Sequence, residues 1–255
     1  MEIYIPSRGR AHKTLTYGNL PPQAKARALH VVPPDELGAY RKAGLPAVAC
    51  PAVGIGPVRQ WICDKHDVKT QGESLLMLDD DLYFSECRKD DISKFAPTTP
   101  RSMDQMFKAL DTLALKYAHG GIAPRDGANR ETQRVSLCTR NLRALFYNVA
   151  VMRRHKIRFD RLPVMEDFDV ALQLLEAGYP SAKLNSWVQD QRGSNAAGGC
   201  SIYRTMEVQA EGARGLARLH PDSVTVVEKP PLKSGGWSGQ ARLDVRVQWK
   251  KALKV

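Results

Sequence analysis

Leu75-Leu76-Met77-Leu78-Asp79-Asp80-Asp81-Leu82-Tyr83-Phe84 joins an apolar run directly to three consecutive acids. A short continuous apolar run of this kind predicts a strand that is buried on both faces, as in a parallel sheet. The three acids then lie at the carboxyl end of that strand. Open α/β sheets bind their ligands at this edge, so the triplet is the first candidate for a functional site.

The acidic triplet needs positive charge nearby, because three adjacent carboxylates repel one another. In an extended chain, Asp79 and Asp81 project to one side and Asp80 to the other. Carboxylate oxygens suit hard divalent cations, so we predict that Asp79 and Asp81 bind Mg²⁺ or Mn²⁺. The alternative is a solvated acidic turn without a ligand.

The segments around the triplet alternate between strand and helix patterns. Strands are predicted at residues 3–6, 28–32 and 47–50, and helices at about 35–44 and 54–66. Such alternation predicts an α/β fold with a mostly parallel central sheet, helices on both faces and a nucleotide-sized crevice at the carboxyl edge.

The second half of the chain is mixed rather than regularly alternating. Ser102 is predicted to cap a helix that ends at Gly120-Gly121, and strands are predicted at 134–139 and 144–149. A further helix begins near Glu166, and another covers about 203–219. The last strands are predicted at 224–227 and 243–249.

Three acids lie at the start of the helix near residue 166, in the sequence Met165-Glu166-Asp167-Phe168-Asp169. Acids in a first helical turn complement the helix dipole and cap free amides, which explains one or two of them. The third acid favours catalysis or binding over capping.

The composition of the chain indicates which partners and which cellular compartment to expect. The 255 residues carry a formal net charge of +11, from 38 Lys and Arg against 27 Asp and Glu, which favours an anionic partner such as nucleic acid or nucleotides. Five cysteines without C-x-x-C spacing indicate neither a zinc module nor a disulfide framework. The absence of a leader pattern and of a membrane-length apolar run predicts a cytoplasmic protein with no membrane partner.

Taken together, these features resemble the GT-A family of nucleotide-sugar glycosyltransferases. The resemblance is carried by the α/β N-terminal region, the D-x-D triplet at Asp79-Asp80-Asp81 and the later pair Glu166-Asp167, and it spans about residues 1–190. It implies a single GT-A (Rossmann-like) domain over 1–255, with a nucleotide-sugar-binding half at 1–100 and a smaller, mixed acceptor-side half and C-terminal region at 101–255.

The resemblance also implies roles for individual residues. The triplet holds Mn²⁺ or Mg²⁺ against the donor diphosphate and touches the ribose, with Asp81 and Asp79 as metal ligands. The Glu-Asp pair faces the acceptor, with Asp167 as general base and Glu166 beside it. The predicted donor-binding residues are Pro6, Ser7, Arg8, Arg59, Asp79 and Asp80.

Some of these assignments have structural alternatives. Arg8 and Arg59 are placed at the ends of early elements, where they bind phosphate or flank the base unless they are ordinary surface charges. His220 is the candidate for a third metal ligand, against the alternative of a cation at a helix C-terminus. Acceptor binding is assigned to Asp169 and to the glycine-rich segment through Arg192, Ser194 and Asn195, which could also close over the donor.

A narrower resemblance rests on the strings I-Y-I-P-S-R-G-R, D-D-D-L, M-E-D-F-D and G-G-C-S-x-Y-R. These look like the compact bacteriophage glycosyltransferases proposed to sugar-coat hydroxymethylated pyrimidines in DNA, relatives of those linked to base J formation. This resemblance implies a UDP-sugar donor and DNA containing modified pyrimidines, such as 5-hydroxymethylcytosine, as the acceptor. The positive net charge agrees with a DNA partner.

Three alternatives stay open from the sequence. The first is a GT-A enzyme that acts on a saccharide or small-molecule hydroxyl. The second is a nucleotidyltransferase, although Ser7-Arg8-Gly9-Arg10 lacks the expected G-x-G signature with a following Arg and Lys. The third is a noncatalytic nucleic-acid-binding protein, although paired acidic clusters would repel DNA. The oligomeric state, monomer or small homo-oligomer, is also open.

Overall fold

The computed structural model describes residues 1–191, 204–231 and 239–254. Its strands are β1 (Glu2–Pro6), β2 (Ala28–Val32), β3 (Ala47–Ala49), β4 (Ser74–Leu78), β5 (Leu82–Cys87), β6 (Phe95–Pro97), β7 (His119–Pro124), β8 (Val135–Leu137), β9 (Ala144–Asn148), β10 (Ser181–Gln191), β11 (Val224–Lys229) and β12 (Arg242–Val247). Its α-helices are α1 (Leu15–Asn19), α2 (Pro22–Lys25), α3 (Leu37–Lys42), α4 (Ile55–Lys65), α5 (Pro100–Ala114), α6 (Arg125–Ala128), α7 (Val149–Arg154), α8 (Glu166–Glu176), α9 (Met206–Leu219) and α10 (Trp249–Ala252).

A ten-stranded sheet organises the molecule, in the order β3-β2-β1-β4-β9-β7-β10-β5-β6, with β8 also paired to β10. The first four strands in this order are parallel. Strands β7 and β10 point the same way as β4, because both neighbours of β9 run antiparallel to it and β10 is parallel to β7. Strand β6 shares this direction, while β5, β8 and β9 run the opposite way. The predicted α/β fold with a mostly parallel central sheet is confirmed.

Strand β4 is buried on both faces, as the apolar run predicted. Leu76 and Leu78 pack against α5 in one hydrophobic cluster, while Leu75 and Met77 pack with residues of α4, α7 and α8 in another. All four side chains are at most 1% exposed. The helices therefore cover both faces of the sheet, and the acidic triplet begins where β4 ends.

The prediction for Gly120-Gly121 was wrong, because these glycines lie inside β7 rather than at a helix end. Helix α5 ends at Ala114, and it begins at Pro100 with Thr99 rather than Ser102 as its cap. A Cβ atom on Gly120 would lie 2.0 Å from the carbonyl oxygen of Ala182, and one on Gly121 would lie 2.2 Å from that of Ala144. Strand β7 thus needs two glycines for its neighbours to approach.

The sequence patterns also missed β5, β6, β10 and α7. Strand β10 is the longest of the described strands, and its inner positions include buried polar residues that interrupt any apolar pattern. Each of these polar residues has at least one hydrogen-bond partner elsewhere. Lys183 pairs with Glu131 at 2.7 Å, and the side-chain amide of Asn185 donates to the Ser136 hydroxyl at 2.7 Å.

A second, two-stranded antiparallel sheet is formed by β11 and β12. It packs against α9, and both share a hydrophobic cluster with α8 through residues such as Leu172, Leu216 and Val245. The C-terminal elements thereby support the helix that carries Glu166 and Asp167. Within the described ranges, no helix combines the length and the apolar character that crossing a membrane requires.

Candidate active site

A cavity of about 1060 Å³ lies at the carboxyl ends of β1, β2, β3 and β4. Its wall includes nine of the residues predicted for catalysis, donor binding or metal binding: Pro6, Ser7, Arg8, Arg59, Asp79, Asp80, Asp81, Glu166 and Asp167. The carboxyl ends of parallel strands meet at one edge of a sheet, so residues distant in sequence come together there. The structure also adds a wall that the sequence did not predict, formed by residues 31–35 and 50–55 after β2 and β3.

The middle acid of the triplet, Asp80, turns back towards β1. Its carboxylate accepts hydrogen bonds from the Ser7 hydroxyl and from Arg10, whose guanidinium also lies 3.1 Å from Asp81. Ser7 is itself 2.7 Å from the Tyr40 hydroxyl. Asp80 is almost fully buried, and burial raises its pKa although Ser7 and Arg10 act in the opposite direction. Asp80 therefore anchors the loop after β1 against the triplet.

Arg59 joins the two acidic motifs. Its Nη2 lies 3.0 Å from Asp79 Oδ1 and its Nη1 lies 2.8 Å from Glu166 Oε1. The side chain is buried, so Arg59 is not an ordinary surface charge. Burial opposes its positive charge, but the two carboxylates outweigh this and raise the pKa of Arg59 further.

The two carboxyl groups that contact Arg59 have raised pKa values. Burial raises the pKa of Asp79 to about 6, with Arg59 opposing the shift and the neighbouring Asp81 and Asp80 adding to it. Burial raises the pKa of Glu166 to about 7, again against Arg59 and with a contribution from Asp167. Shifts of this size are typical of functional sites, where burial and neighbouring charges act together.

Local backbone features place Arg59 and Glu166 next to each other. Gly56, one turn before Arg59, lets α4 approach the chain before α8, since a Cβ there would lie 2.6 Å from the carbonyl oxygen of Phe159. Met165 precedes α8 in the left-handed conformation, with φ of 66°. A non-glycine residue rarely adopts this conformation, and such strain concentrates at functional sites.

The acids at the start of α8 have three different environments. Glu166 is paired with Arg59, and Asp169 is completely buried. Asp167 is partly exposed and lines the cavity, and its only recorded contact among the described residues is the amide of Phe168, 3.0 Å from Oδ1. Asp167 is therefore the acid of this helix turn whose carboxylate is most available to a ligand.

Asp169 and His220, predicted as an acceptor-binding and a metal-binding residue, lie outside the cavity wall. Asp169 accepts from Gln173 at 2.9 Å and lies 2.8 Å from His220 Nε2. The other ring nitrogen of His220 is 2.8 Å from Glu176. Burial lowers the pKa of His220, but the hydrogen bonds to both carboxylates outweigh it and raise the value. The side chains instead tie α8 to the end of α9.

The predicted metal ligands Asp79 and Asp81 both line the cavity, with side chains 30% and 20% exposed. Each carboxylate uses one oxygen for an arginine, Asp79 Oδ1 for Arg59 and Asp81 Oδ2 for Arg10, and the second oxygen has no hydrogen-bond partner among the described residues. Two free carboxylate oxygens fit a hard divalent cation that takes further ligands from a diphosphate. The described residues contain no group of three or more His, Cys, Asp or Glu arranged to hold a metal without such help.

The remaining predicted residues, Arg192, Ser194 and Asn195, lie outside the described residues. The cavity wall contains further charged groups that the sequence did not single out. Arg10 belongs to the segment Ser7-Arg8-Gly9-Arg10, which follows β1. Its position just after a strand was the sequence feature that could have identified it as a cavity residue. Other charged residues of the wall come from the loop between β8 and β9 (Arg140 and Arg143), from β11 (Lys229) and from β12 (Asp244), and no local motif marks them.

Comparison with solved structures supports the class of fold. The crystal structure of S. aureus TarS 1-349 in complex with UDP-GlcNAc superimposes with a TM-score of 0.52 over 85% of this chain and 67% of that chain, at 13% sequence identity. The structure of GalNAc-T7 with UDP, GalNAc and Mn²⁺ gives a TM-score of 0.48 over 87% of this chain and 48% of that one, at 10% identity. The first of these shows that the chain has the GT-A fold of nucleotide-sugar transferases.

A match to a protein family assigns the chain more specifically than its fold does. A family model described as TET-Associated Glycosyltransferase matches residues 1–199, well over half of the chain. The chain therefore belongs to the TET-associated glycosyltransferase family. A comparison with curated proteins finds no significant match. The prediction of a GT-A glycosyltransferase is confirmed, whereas the narrower resemblance to the bacteriophage enzymes related to base J formation stays a prediction.

Proposed function

We propose that this glycosyltransferase moves a sugar from a UDP-sugar to the hydroxyl of a 5-hydroxymethylpyrimidine in DNA. The observation that carries the proposal is the contrast among the acids of α8. Asp167 faces the cavity with one oxygen free of recorded contacts, while Glu166 is paired with Arg59 and Asp169 is completely buried. An unpaired carboxylate opposite the acidic triplet is suited to accept the proton of an acceptor hydroxyl.

The donor is assigned to the edge formed by β1, β2, β3 and β4. Pro6, Ser7 and Arg8 line this side of the cavity together with residues 31–35 and 50–55, which gives a mixed apolar and polar surface for a nucleoside. Asp79 and Asp81 lie at its inner end, where the diphosphate belongs. A divalent metal bound there supplies positive charge that stabilises the leaving diphosphate.

The transfer step forms a bond between the acceptor oxygen and the anomeric carbon of the sugar. The bond from that carbon to the diphosphate oxygen breaks, and the nucleoside diphosphate leaves with the electron pair. Asp167 takes the hydroxyl proton. Arg59 holds Glu166 beside it, so that Glu166 is oriented to contact a sugar or acceptor hydroxyl rather than to turn into solvent.

DNA as the acceptor is supported by charge and by the size of the cavity. The chain carries a net charge of +11, and Lys and Arg contacts to phosphates supply most of the nonspecific affinity for DNA. A volume of about 1060 Å³ lies at the upper end of the usual range for small-molecule sites, which fits a donor sugar together with one acceptor residue. A base within a duplex would have to be flipped out, or its 5-substituent would have to be reached through the major groove.

A transfer assay tests the proposal. The full chain is incubated with a panel of nucleotide sugars and Mn²⁺, with DNA that contains 5-hydroxymethylcytosine, 5-hydroxymethyluracil or unmodified bases, and nucleosides are read by mass spectrometry. We expect a pentose or hexose mass gain on a hydroxymethyl base only. Asp167→Asn should lower kcat by roughly 10²- to 10⁴-fold, the usual contribution of a general base.

Asp222→Asn is the matched control, since Asp222 is exposed and lies outside the cavity wall. It should transfer sugar like the wild type. Donor hydrolysis without any DNA product would overturn the DNA acceptor and favour a saccharide or small-molecule hydroxyl. Full activity after extensive chelation of divalent metals, or in Asp81→Ala, would overturn the proposed metal site.

A further inference from the structure

Arg140 has an unusual position in the cavity. It follows β8 on the loop to β9, and it lines the cavity on the side of α8. Its guanidinium lies over the ring of Phe168, 4.5 Å from the ring centroid. Phe168 directly follows Asp167, and its ring also contacts Trp249, with centroids 5.5 Å apart. The Phe168 ring thus holds the guanidinium close to the residue that follows the proposed general base in sequence.

The charge of Arg140 is not neutralised by a close carboxylate. In the part of the chain that the structure describes, no Asp or Glu oxygen lies within the 4.0 Å ion-pair distance of its guanidinium. Arg10 and Arg59, in the same cavity, each contact two acids. Arg140 therefore presents a stacked guanidinium with free N–H donors to the cavity.

The side chain of Arg140 is exposed at the cavity, so its guanidinium is open to a ligand there. A planar guanidinium that is also held in place by an aromatic ring loses little entropy when it binds an anion. Phosphate is the anion whose geometry the arginine fork matches.

We infer that Arg140 is a phosphate-binding residue on the acceptor side of the cavity, where it contacts a backbone phosphate next to the nucleotide that receives the sugar. This inference rests on the proposed function. Its position favours the acceptor over the donor, because Arg140 lies against the residue after Asp167. The carboxylates of the triplet, where the donor diphosphate belongs, are instead contacted by Arg10 and Arg59.

The test compares acceptors with and without a phosphate. The full chain is assayed with a single-stranded oligonucleotide that contains 5-hydroxymethylcytosine and with the free nucleoside 5-hydroxymethyl-2′-deoxycytidine. We expect Arg140→Ala to raise the KM for the oligonucleotide by about 10-fold, as loss of one charged hydrogen bond would. The KM for the nucleoside and the KM for the UDP-sugar should stay unchanged, and Arg140→Lys should restore part of the loss.

Arg101→Ala is the matched control, because Arg101 is an exposed arginine on α5 outside the cavity wall. It removes the same charge and should leave the KM for both acceptors unchanged. A rise in the KM for the UDP-sugar in Arg140→Ala would show that the phosphate belongs to the donor. An equal effect on the oligonucleotide and on the nucleoside would show that Arg140 contacts no backbone phosphate. Either result overturns the inference.

A binding measurement separates this inference from the proposed function. The affinity of a fluorescent single-stranded oligonucleotide is measured by anisotropy over a range of salt concentrations, without any donor. Loss of one phosphate contact should reduce the slope of log affinity against log salt by about 0.7 in Arg140→Ala but not in Arg101→Ala. If no sugar is transferred to any hydroxymethyl base, the proposed function fails while a reduced slope still supports the phosphate contact. An unchanged slope overturns the contact whatever the assay shows.

Discussion

Asp169 Oδ1 and His220 Nε2 lie 2.8 Å apart, 51 positions apart in the sequence, in a part of the protein that solvent barely reaches. The second ring nitrogen of His220 contacts Glu176, which lies about two helical turns after Asp169 on α8. A single imidazole at the end of α9 thus fixes two positions along the helix that presents Asp167. This contact explains why a histidine that resembles a metal ligand in sequence lies outside the cavity.

His220→Gln should lower stability without changing the metal requirement. Removing one partner of a buried charged hydrogen bond costs roughly 3 kcal/mol, so the Tm should fall by about 6–12 °C for a chain of this size. Thermal unfolding and the Mn²⁺ concentration for half-maximal activity measure the two effects separately. An unchanged Tm together with a higher Mn²⁺ requirement would return His220 to the metal site.

Arg59→Lys should weaken both acidic motifs at once. Lysine carries a single ammonium and cannot contact Asp79 and Glu166 in the two-pronged manner of a guanidinium. We expect the free energy of unfolding to fall by roughly 2–4 kcal/mol, together with kcat/KM. A double-mutant cycle with Glu166→Gln tests this cause. If Arg59 and Glu166 act through their contact, the free energy of unfolding of the double variant should fall by less than the sum of the two single falls. Strictly additive falls would contradict a stabilising contact between the two side chains.

Acidification should destabilise the protein through His119. This side chain is buried with Nε2 3.0 Å from the Tyr179 carbonyl oxygen, and burial lowers its pKa to about 4. The unfolded state, with a pKa of about 6.5, takes up a proton first, so the free energy of unfolding falls as the pH drops from about 6.5 to 4. The loss approaches about 3 kcal/mol at the lower end, from a shift of about 2.5 units.

Urea unfolding at pH 7 and at pH 4.5 measures this loss. His119→Gln removes the titrating group at this position, so its stability should change less between the two pH values than that of the wild type. Burial also lowers the pKa of His30 and His66, which therefore contribute in the same direction. An equal loss in the wild type and in His119→Gln would contradict the assignment.

Gly120→Ala should be severely destabilising, because the new Cβ meets backbone rather than a mobile side chain. It would lie 2.0 Å from the Ala182 carbonyl oxygen and 2.7 Å from the Phe146 ring. We expect little folded protein, or a Tm lower by more than 10 °C. Gly38→Ala is the control, since Gly38 lies in α3 with nothing within 4 Å, and alanine favours a helix there. A normal Tm for Gly120→Ala would contradict the packing of β7.

The edge of the sheet at the carboxyl ends of β1, β2 and β4 could be predicted from the sequence. The run from Leu75 to Leu78 has the composition of a strand that is buried on both faces, and its acids had to follow at the carboxyl end. Residues 3–6 and 28–32 carry similar local signals, so the parallel part of the sheet could be predicted. Pro6 and Arg8 line the cavity for the same reason, because Pro6 ends β1 and Arg8 follows it.

The part of the fold around β10 and α8 could not be predicted in the same way, because its structure depends on contacts between segments that are distant in the sequence. Strand β10 holds buried polar residues whose partners, such as Glu131 for Lys183, are identified only by the fold. The identity of Arg59 as a bridge depends on Glu166, 107 positions away. Asp169 looked equivalent to Asp167 in sequence, and a difference of two positions on the helix turned one inward and left the other at the cavity.

The shared arginine predicts a thermodynamic link between the two proposed substrate sites. In the proposed function Asp79 contacts the donor and Glu166 faces the acceptor, and Arg59 is paired with both carboxylates. A donor that draws Asp79 away leaves more of that charge to Glu166, so the affinity for the second substrate changes when the first is bound. By linkage the factor is the same in both directions, whichever substrate binds first.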